Sequence, residues 1–281
     1  NYNYSYEYQN WYDSAKNETI NARENVALFE LSPFAKFQLS GEKTHSSLQY
    51  ICANNIKNEI GSITYTQMLN SKGGIEADLT VTCLDKNKFR IVTGSAVRTH
   101  DKKHILKYLD KSIKFEDITD NFACLGIFGP KSRDLVSKLF GNHFSNNDFK
   151  FGTGKNIIFK DIEMWFQRIS YVGELGWEIY IPIEKSKQIY ELIVSLEKEF
   201  DLVHAGAHSM DIMRMEKGYL HWGHDISPAE NPFEANLGFA VKLNKKENFI
   251  GKDYLMKEKN LTKKTLIMCT INNSKPGNPL V

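Results

Sequence analysis

Apolar residues at Ile189, Leu192, Ile193 and Leu196 recur at i, i+3, i+4 and i+7, which predicts a helix over roughly 184–199. Leu48, Ile51 and Cys52 form a second stripe behind Ser40, a residue able to cap the free amides of a first helical turn. Leu135, Val136, Leu139 and Phe140 mark a third helix after Gly129-Pro130, and a fourth over roughly 205–219 carries Met210, Met213 and Lys217 on one side. Between them lie strand-like runs at 60–69, 75–83, 88–93, 122–128, 157–170 and 176–182, with another at Thr265–Ile271. Strands and helices mix without strict alternation, so the expected class is α+β with mainly antiparallel sheets.

The pattern also echoes itself. Phe37–Gly41 leading into a helix resembles Leu125–Gly129 leading into another, and Lys88–Gly94 resembles Trp165–Gly173. Two pseudo-equivalent lobes with a cleft between them would produce both pairs.

Composition narrows the partners. The 281 residues are 41% hydrophobic and 25% charged, enough to bury a core in one large domain or two compact lobes. Lys+Arg 36 against Asp+Glu 34 leaves a formal charge of +2, which offers no electrostatic footprint for nucleic acid or an anionic membrane. The longest apolar runs, such as Leu125–Phe128, fall far short of the ~20 residues of a bilayer span. Cys52, Cys83, Cys124 and Cys269 are widely spaced and form no C-x-x-C pair. That usage predicts buried free thiols in a reducing compartment, the cytoplasm or, in a eukaryote, the mitochondrial matrix. No signal peptide opens the chain, which starts at Asn1 and stops at Val281; both ends read as cuts through a longer polypeptide.

Candidate chemistry begins at Gly73–Thr82, where Glu76, Asp78, Thr80 and Thr82 alternate with Ile75, Ala77, Leu79 and Val81. Alternation puts Asp78 and Thr80 on one face of a strand. Asn70–Gly74 supplies a turn from the preceding strand, which holds Tyr65. A two-residue loop sets Tyr65 opposite Asp78 and a four-residue loop sets it opposite Thr80; either even length brings the tyrosine ring to the Asp78 face. A carboxylate between an aromatic wall and a hydroxyl suits a flat, polar heterocycle, whereas the bland alternative is a solvated polar face.

Arg168–Tyr180 is the second candidate. Gly173 and Gly176 flank Glu174-Leu175 and mark a tight bend, with Tyr171 before it and Glu178 after it. A carboxylate such as Glu178 can accept two parallel N–H bonds from an amino-pyrimidine edge; the alternative is a hairpin with surface glutamates. In the third candidate, Met210–Asp225, Arg214 follows Asp211 by three residues, the spacing of a helix-surface pair. His221, His224 and Asp225 lack a further ligand cluster, so no metal centre is expected. No G-x-G-x-x-G, Walker or G-x-S-x-G motif is present.

These segments together resemble the folate-binding half of the dimethylglycine and sarcosine dehydrogenase family, itself similar to the glycine-cleavage aminomethyltransferase (T-protein). The resemblance runs through Tyr6–Trp11, Arg23–Phe29, Tyr65–Asn70, Gly73–Asp78, Gly173–Glu178, Arg214–Tyr219 and Trp222–Asp225. It implies a cloverleaf of α+β lobes closed by a C-terminal β-barrel, here reduced to a first strand. Residues 1–260 would form the folate-binding region of two interleaved lobes and 261–281 the start of the barrel. It also implies tetrahydrofolate as cofactor, with Asp78 beside the reactive nitrogens of the reduced pterin and Tyr65, Thr80 and Tyr171 lining the pocket. Glu178 would bond the pterin ring, Arg214 would lie near the folate, and Trp222 would belong to the same wall. The implied partners are the folate, an amine-derived substrate, and an upstream domain or subunit carrying FAD, which this chain lacks. Gly-Glu-Leu-Gly-Trp-Glu at 173–178 resembles the dehydrogenase branch more than the T-protein version. The implied reaction moves a methylene group from an N-methylglycine-derived iminium to tetrahydrofolate, giving 5,10-methylenetetrahydrofolate. The alternatives are a T-protein acting on a lipoyl carrier, a demethylase of a sulfonium compound, and a non-enzymatic folate-binding scaffold.

Overall fold

A computed structural model describes residues 2, 3, 5, 9–258 and 264–270. In chain order the elements are α1 (Tyr12–Glu24), β1 (Val26–Glu30), β2 (Ala35–Ser40), α2 (Thr44–Ile51), β3 (Ile63–Leu69), β4 (Ile75–Asp85), β5 (Lys88–Thr93), α3 (Arg98–Tyr108) and β6 (Lys114–Asp117). They continue as β7 (Phe122–Phe128), α4 (Ser132–Phe140), β8 (Gly154–Phe159), β9 (Ile162–Gln167), β10 (Gly176–Pro182), α5 (Ser186–Val194), α6 (Glu197–Phe200), β11 (Leu202–Ala205), α7 (Ala207–Glu216) and α8 (Lys252–Glu258).

The strands make a five-stranded sheet, β3-β4-β5-β2-β6, and a six-stranded sheet, β11-β1-β7-β10-β9-β8. Both follow one plan. A strand leads into a helix, then a three-strand antiparallel meander returns beside the first strand, then helix and closing strand follow. In the larger sheet β1 is slotted between β7 and β11. The first sequence echo reflects this plan: Gly41 after β2 and Gly129 after β7 take φ +141 and +137, and each turns the chain toward its helix. The second echo is one strand out of step. Lys88–Thr93 is β5, whose topological counterpart is β10, whereas Trp165–Gln167 belongs to β9.

Each sheet buries one face under its own helices. Phe37, Leu39, Val81, Phe89 and Ile91 pack with Leu48 and Ile51 of α2 and Ile105 of α3. Leu125, Ile127, Trp177, Ile179 and Ile181 pack with Leu135, Val136 and Phe140 of α4 and Ile189 and Ile193 of α5. Because strand side chains alternate, the opposite faces carry the polar positions of both sheets, and these are the faces that meet. Thr82 of the smaller sheet donates a hydrogen bond of 2.8 Å to Gln167 of the larger.

The α+β class is found, and several boundaries move. Ser40 ends β2 and caps no helix; α2 starts at Thr44, after the turn made by Gly41. The run at 157–170 is a hairpin, β8 and β9, because Lys160 and Asp161 at φ 46 and 65 reverse the chain. The helix expected at 184–199 breaks after Val194. Cys52, Cys83 and Cys124 are buried free thiols, but Cys269 is exposed. Over 265–270 the expected strand is absent: the Leu266 amide donates to the Glu234 carbonyl (2.8 Å) within irregular chain. Ile271 onward and 261–263 lie outside the described residues, as do Tyr6-Glu7-Tyr8 of the first motif. Among the described residues there is no closed barrel, and no helix is long and apolar enough to cross a membrane.

Candidate active site

Asp78 sits on the inward polar face of β4. The β3–β4 register pairs Tyr65 with Thr80 and Gln67 with Asp78, and an irregularity at Met68/Leu69 accommodates the turn before Ile75. The Tyr65–Thr80 register is that of the four-residue loop, but the turn itself is odd: the Asn70 amide bonds the Gly74 carbonyl (2.9 Å) around three residues, and the bulge restores the parity that brings Tyr65 to the Asp78 face. Gln67 Nε2 donates to Asp78 Oδ1 at 2.8 Å, and Tyr65 is also hydrogen-bonded to the carboxylate. Burial pushes the Asp78 pKa up to about 6, against the pull of both bonds; Asp101 adds to the rise. The same burial, with Asp78 beside it, pushes the Tyr65 hydroxyl well above the usual phenol range. Gln67 is fully buried, and among the described residues no group donates to its Oε1. An acceptor left dry beside a carboxylate favours a ligand that brings N–H groups.

Tyr171 reaches the same place from the bend after β9. Its hydroxyl donates to the Leu220 carbonyl (3.0 Å), its ring stacks on Tyr219 at 6.4 Å, and it lies within electrostatic range of Asp78, Tyr65 and Arg214. Arg214, buried on α7, pairs with Asp211 (2.7 Å) and Asp225 and donates to the Tyr219 carbonyl (3.0 Å). The helix pair read from sequence is thus one part of a larger junction. Trp222 donates through Nε1 to the Ile75 carbonyl (2.8 Å), tying the 219–225 segment to the start of β4. Tyr65, Thr80 and Asp78 thus share the inward face of the smaller sheet, and Tyr171, Arg214 and Trp222 approach it from the bend after β9 and the 214–225 segment. A neighbouring hollow of about 270 Å³, lined by Phe151, Arg168, Glu174 and Tyr219, adjoins that wall through Tyr219.

Glu178 stands on the other sheet, in β10, opposite Gln167. Tyr180 donates to its Oε2 at 2.8 Å. Burial pushes Glu178 up to about 7, while the Tyr180 bond and the buried Lys36 ammonium pull it down. Lys36 Nζ is held by the carbonyls of Ser32 (2.8 Å) and Phe34 (2.9 Å), and burial lowers its own pKa. Gln67, Gln167, Tyr180 and Lys36 adjoin the two carboxylates and are not among the residues singled out from the sequence. Gln67 was within reach, two residues from Tyr65 on the same face; the others carry no local signal. Thr82→Val removes a hydroxyl that bonds across the sheets, and should cost about 1 kcal/mol in urea unfolding.

Residues 1–245 match the family described as the GCVT N-terminal domain. The chain is 35% identical over 257 residues to 4-methylaminobutanoate oxidase (formaldehyde-forming) of Paenarthrobacter nicotinovorans, covering 91% of this chain and 31% of that protein. It is 34% identical over 271 residues to the mitochondrial dimethylglycine dehydrogenase of Homo sapiens, covering 95% of this chain and 31% of the relative. The chain thus spans about a third of the length of these relatives. The crystal structure of the glycine cleavage system aminomethyltransferase T from Bartonella henselae superposes with a TM-score of 0.80 at 22% identity, over 93% of this chain and 72% of that one. That likeness speaks to the fold.

Proposed function

This chain belongs to the GCVT N-terminal domain family, and from that premise we propose that it transfers a methylene unit to tetrahydrofolate from an N-methylglycine-derived iminium. The observation carrying the proposal is the half-buried Asp78 carboxylate, gripped by Gln67 and Tyr65 beside Tyr171 in a cleft between two sheets. The donor set fits a reduced pterin. Gln67 Oε1 and Glu178 are acceptors facing a ligand rich in N–H groups, and Tyr65 and Tyr171 offer flat aromatic surfaces. We also read residues 1–260 as the folate-binding region, with an upstream flavin domain or subunit supplying the iminium.

When bound, tetrahydrofolate would supply its ring N5 and side-chain N10, which together take the carbon of CH2=N⁺ to give 5,10-methylenetetrahydrofolate, the free amine and one proton. Asp78 accepts that proton and offsets the cationic charge of the iminium while it is in the cleft. Tyr65 and Gln67 aim the carboxylate, and Glu178 orients the heterocycle from the opposite wall. Exclusion of water by the two sheets suppresses hydrolysis of the iminium to formaldehyde. The dimethylglycine dehydrogenase likeness favours this donor over a lipoyl carrier.

The test couples the full chain to a flavin amine oxidase acting on sarcosine or dimethylglycine. Methylenetetrahydrofolate should form faster than by uncatalysed condensation of formaldehyde with tetrahydrofolate, and free formaldehyde should fall. A rate equal to the uncatalysed one, with formaldehyde accumulating, would refute the assignment.

A further inference from the structure

Behind Glu178 runs a line of polar groups whose hydrogens can point only one way. Trp165 and Gln167 lie two apart on β9, directly opposite Tyr180 and Glu178 on β10. Gln167 Oε1 receives the Trp165 indole N–H (3.2 Å) and the Thr82 hydroxyl (2.8 Å). An indole nitrogen can only donate, so the reversed amide would set N–H against N–H. The orientation of the Gln167 amide is therefore fixed by chemistry. Its Nε2 must then face the Tyr180 oxygen, at 3.4 Å, as a donor. The phenolic proton goes to Glu178 Oε2 at 2.8 Å, in preference to the Cys124 sulfur, the weaker acceptor also within its reach. Gln167 and Tyr180 are both buried, and the Arg90 guanidinium lies 4.6 Å over the Tyr180 ring, where its charge strengthens the phenol as a donor.

We propose that Trp165 and Gln167, acting through Tyr180, are positioning residues that favour the ionised, hydrogen-bond-accepting form of Glu178 in the cleft. The site thereby selects a ligand edge rich in N–H groups and rejects one that offers carbonyl oxygens. The identity of that ligand rests on the function proposed above; the polarity of the line does not. Thr82 alone could not impose it, because a hydroxyl can either give or take a hydrogen bond. The charged and titratable groups around Glu178 are Tyr180 on its own strand, Lys36 from β2 and Cys124 from β7. Cys124 from β7 and Arg90 from β5 face Tyr180 in turn.

Trp165→Phe removes the fixed donor and no charge, so Gln167 becomes free to turn its oxygen toward Tyr180 and take the phenolic proton away from Glu178. Gln167→Leu leaves Tyr180 with Glu178 as its acceptor. Tyr180→Phe removes the donor outright. Titration of the Glu178 carboxyl by carbon NMR in the ligand-free full chain should rank the upward shifts Tyr180→Phe, then Trp165→Phe, then Gln167→Leu. The first should be about one pH unit or more, given what a hydrogen bond to a charged group is worth. Tetrahydrofolate affinity near neutral pH should fall in the same order, about tenfold for Tyr180→Phe. A Glu178 midpoint that stays put in folded Trp165→Phe, or that moves as far in Gln167→Leu, would overturn the proposal, since loss of packing alone predicts the second result. Shifts in the expected order without any tetrahydrofolate binding by the parent would leave the polarity standing and remove the proposed function.

Discussion

Replacing Asp78 by Asn lowers methylene transfer by on the order of 10²-fold or more, the usual scale for losing a positioned proton acceptor, while the protein melts no lower than its parent. The asymmetry follows from the position of the group. Burial holds its pKa near 6, against an ordinary 3.8, despite the bonds from Gln67 and Tyr65. A raised carboxyl pKa means that the folded state keeps its proton longer than the unfolded chain. Between about pH 4 and 6 the folded state therefore binds more protons, and the Asp78 contribution to stability falls as pH rises through that window. At neutral pH the ionised group is a stability cost that an amide of the same shape relieves. Gln67 can still donate to the Asn oxygen. Transfer by the parent should rise with pH through about 6 as the carboxylate forms, and the residual activity of Asp78→Asn should lack that limb. Parental rates in folded Asp78→Asn protein would end the case for Asp78 as the proton acceptor.

Tyr65 and Asp78 could be placed on one face from the sequence because that inference needs only the period of a strand and the parity of a turn. The two even loops that the sequence offers agree on the face; the actual turn is an odd loop with a bulge beside it, and the two irregularities together restore that parity. Position across the cleft is a different matter. Gln167, paired with Glu178 on the neighbouring strand, meets Thr82 of the other sheet across a separation of 85 residues, which no local period encodes. The missed helices were silent for a related reason. In α1 only Ala15 and Ala22 are buried, and in α3 only Asp101 and Ile105, so neither presents an apolar stripe. Short strands β6 and β11 close their sheets with only a few residues each, too few to display alternation. Where the periodicity was long and clean, as in α4 and α5, the same side chains proved to be the core.

Arg214→Gln should be the most destabilising single change at the cleft, and it should weaken tetrahydrofolate binding without touching Asp78. Arg214 is 4% exposed, and its guanidinium fills three roles that a neutral amide cannot combine. It pairs with Asp211, pairs with Asp225, and donates to the Tyr219 carbonyl. Asp211 is half open to water, so that pair counts for little. Asp225 matters more, because its carboxylate also accepts the His221 amide (2.8 Å) and so closes the 219–225 turn onto α7. Stranding that carboxylate and a backbone carbonyl together should cost about 3 kcal/mol. In a chain of this size that corresponds to a melting temperature lower by roughly 6–12 °C. The same turn carries the Leu220 carbonyl that holds Tyr171 and the Trp222 indole that holds the start of β4. Its release therefore slackens the aromatic wall facing Asp78, and affinity should fall together with stability. Arg214→Lys keeps one point charge but not the planar fork, so it should recover only part of either property. If Arg214→Gln melts with the parent yet loses tetrahydrofolate binding, the guanidinium acts on the ligand directly and not through the turn.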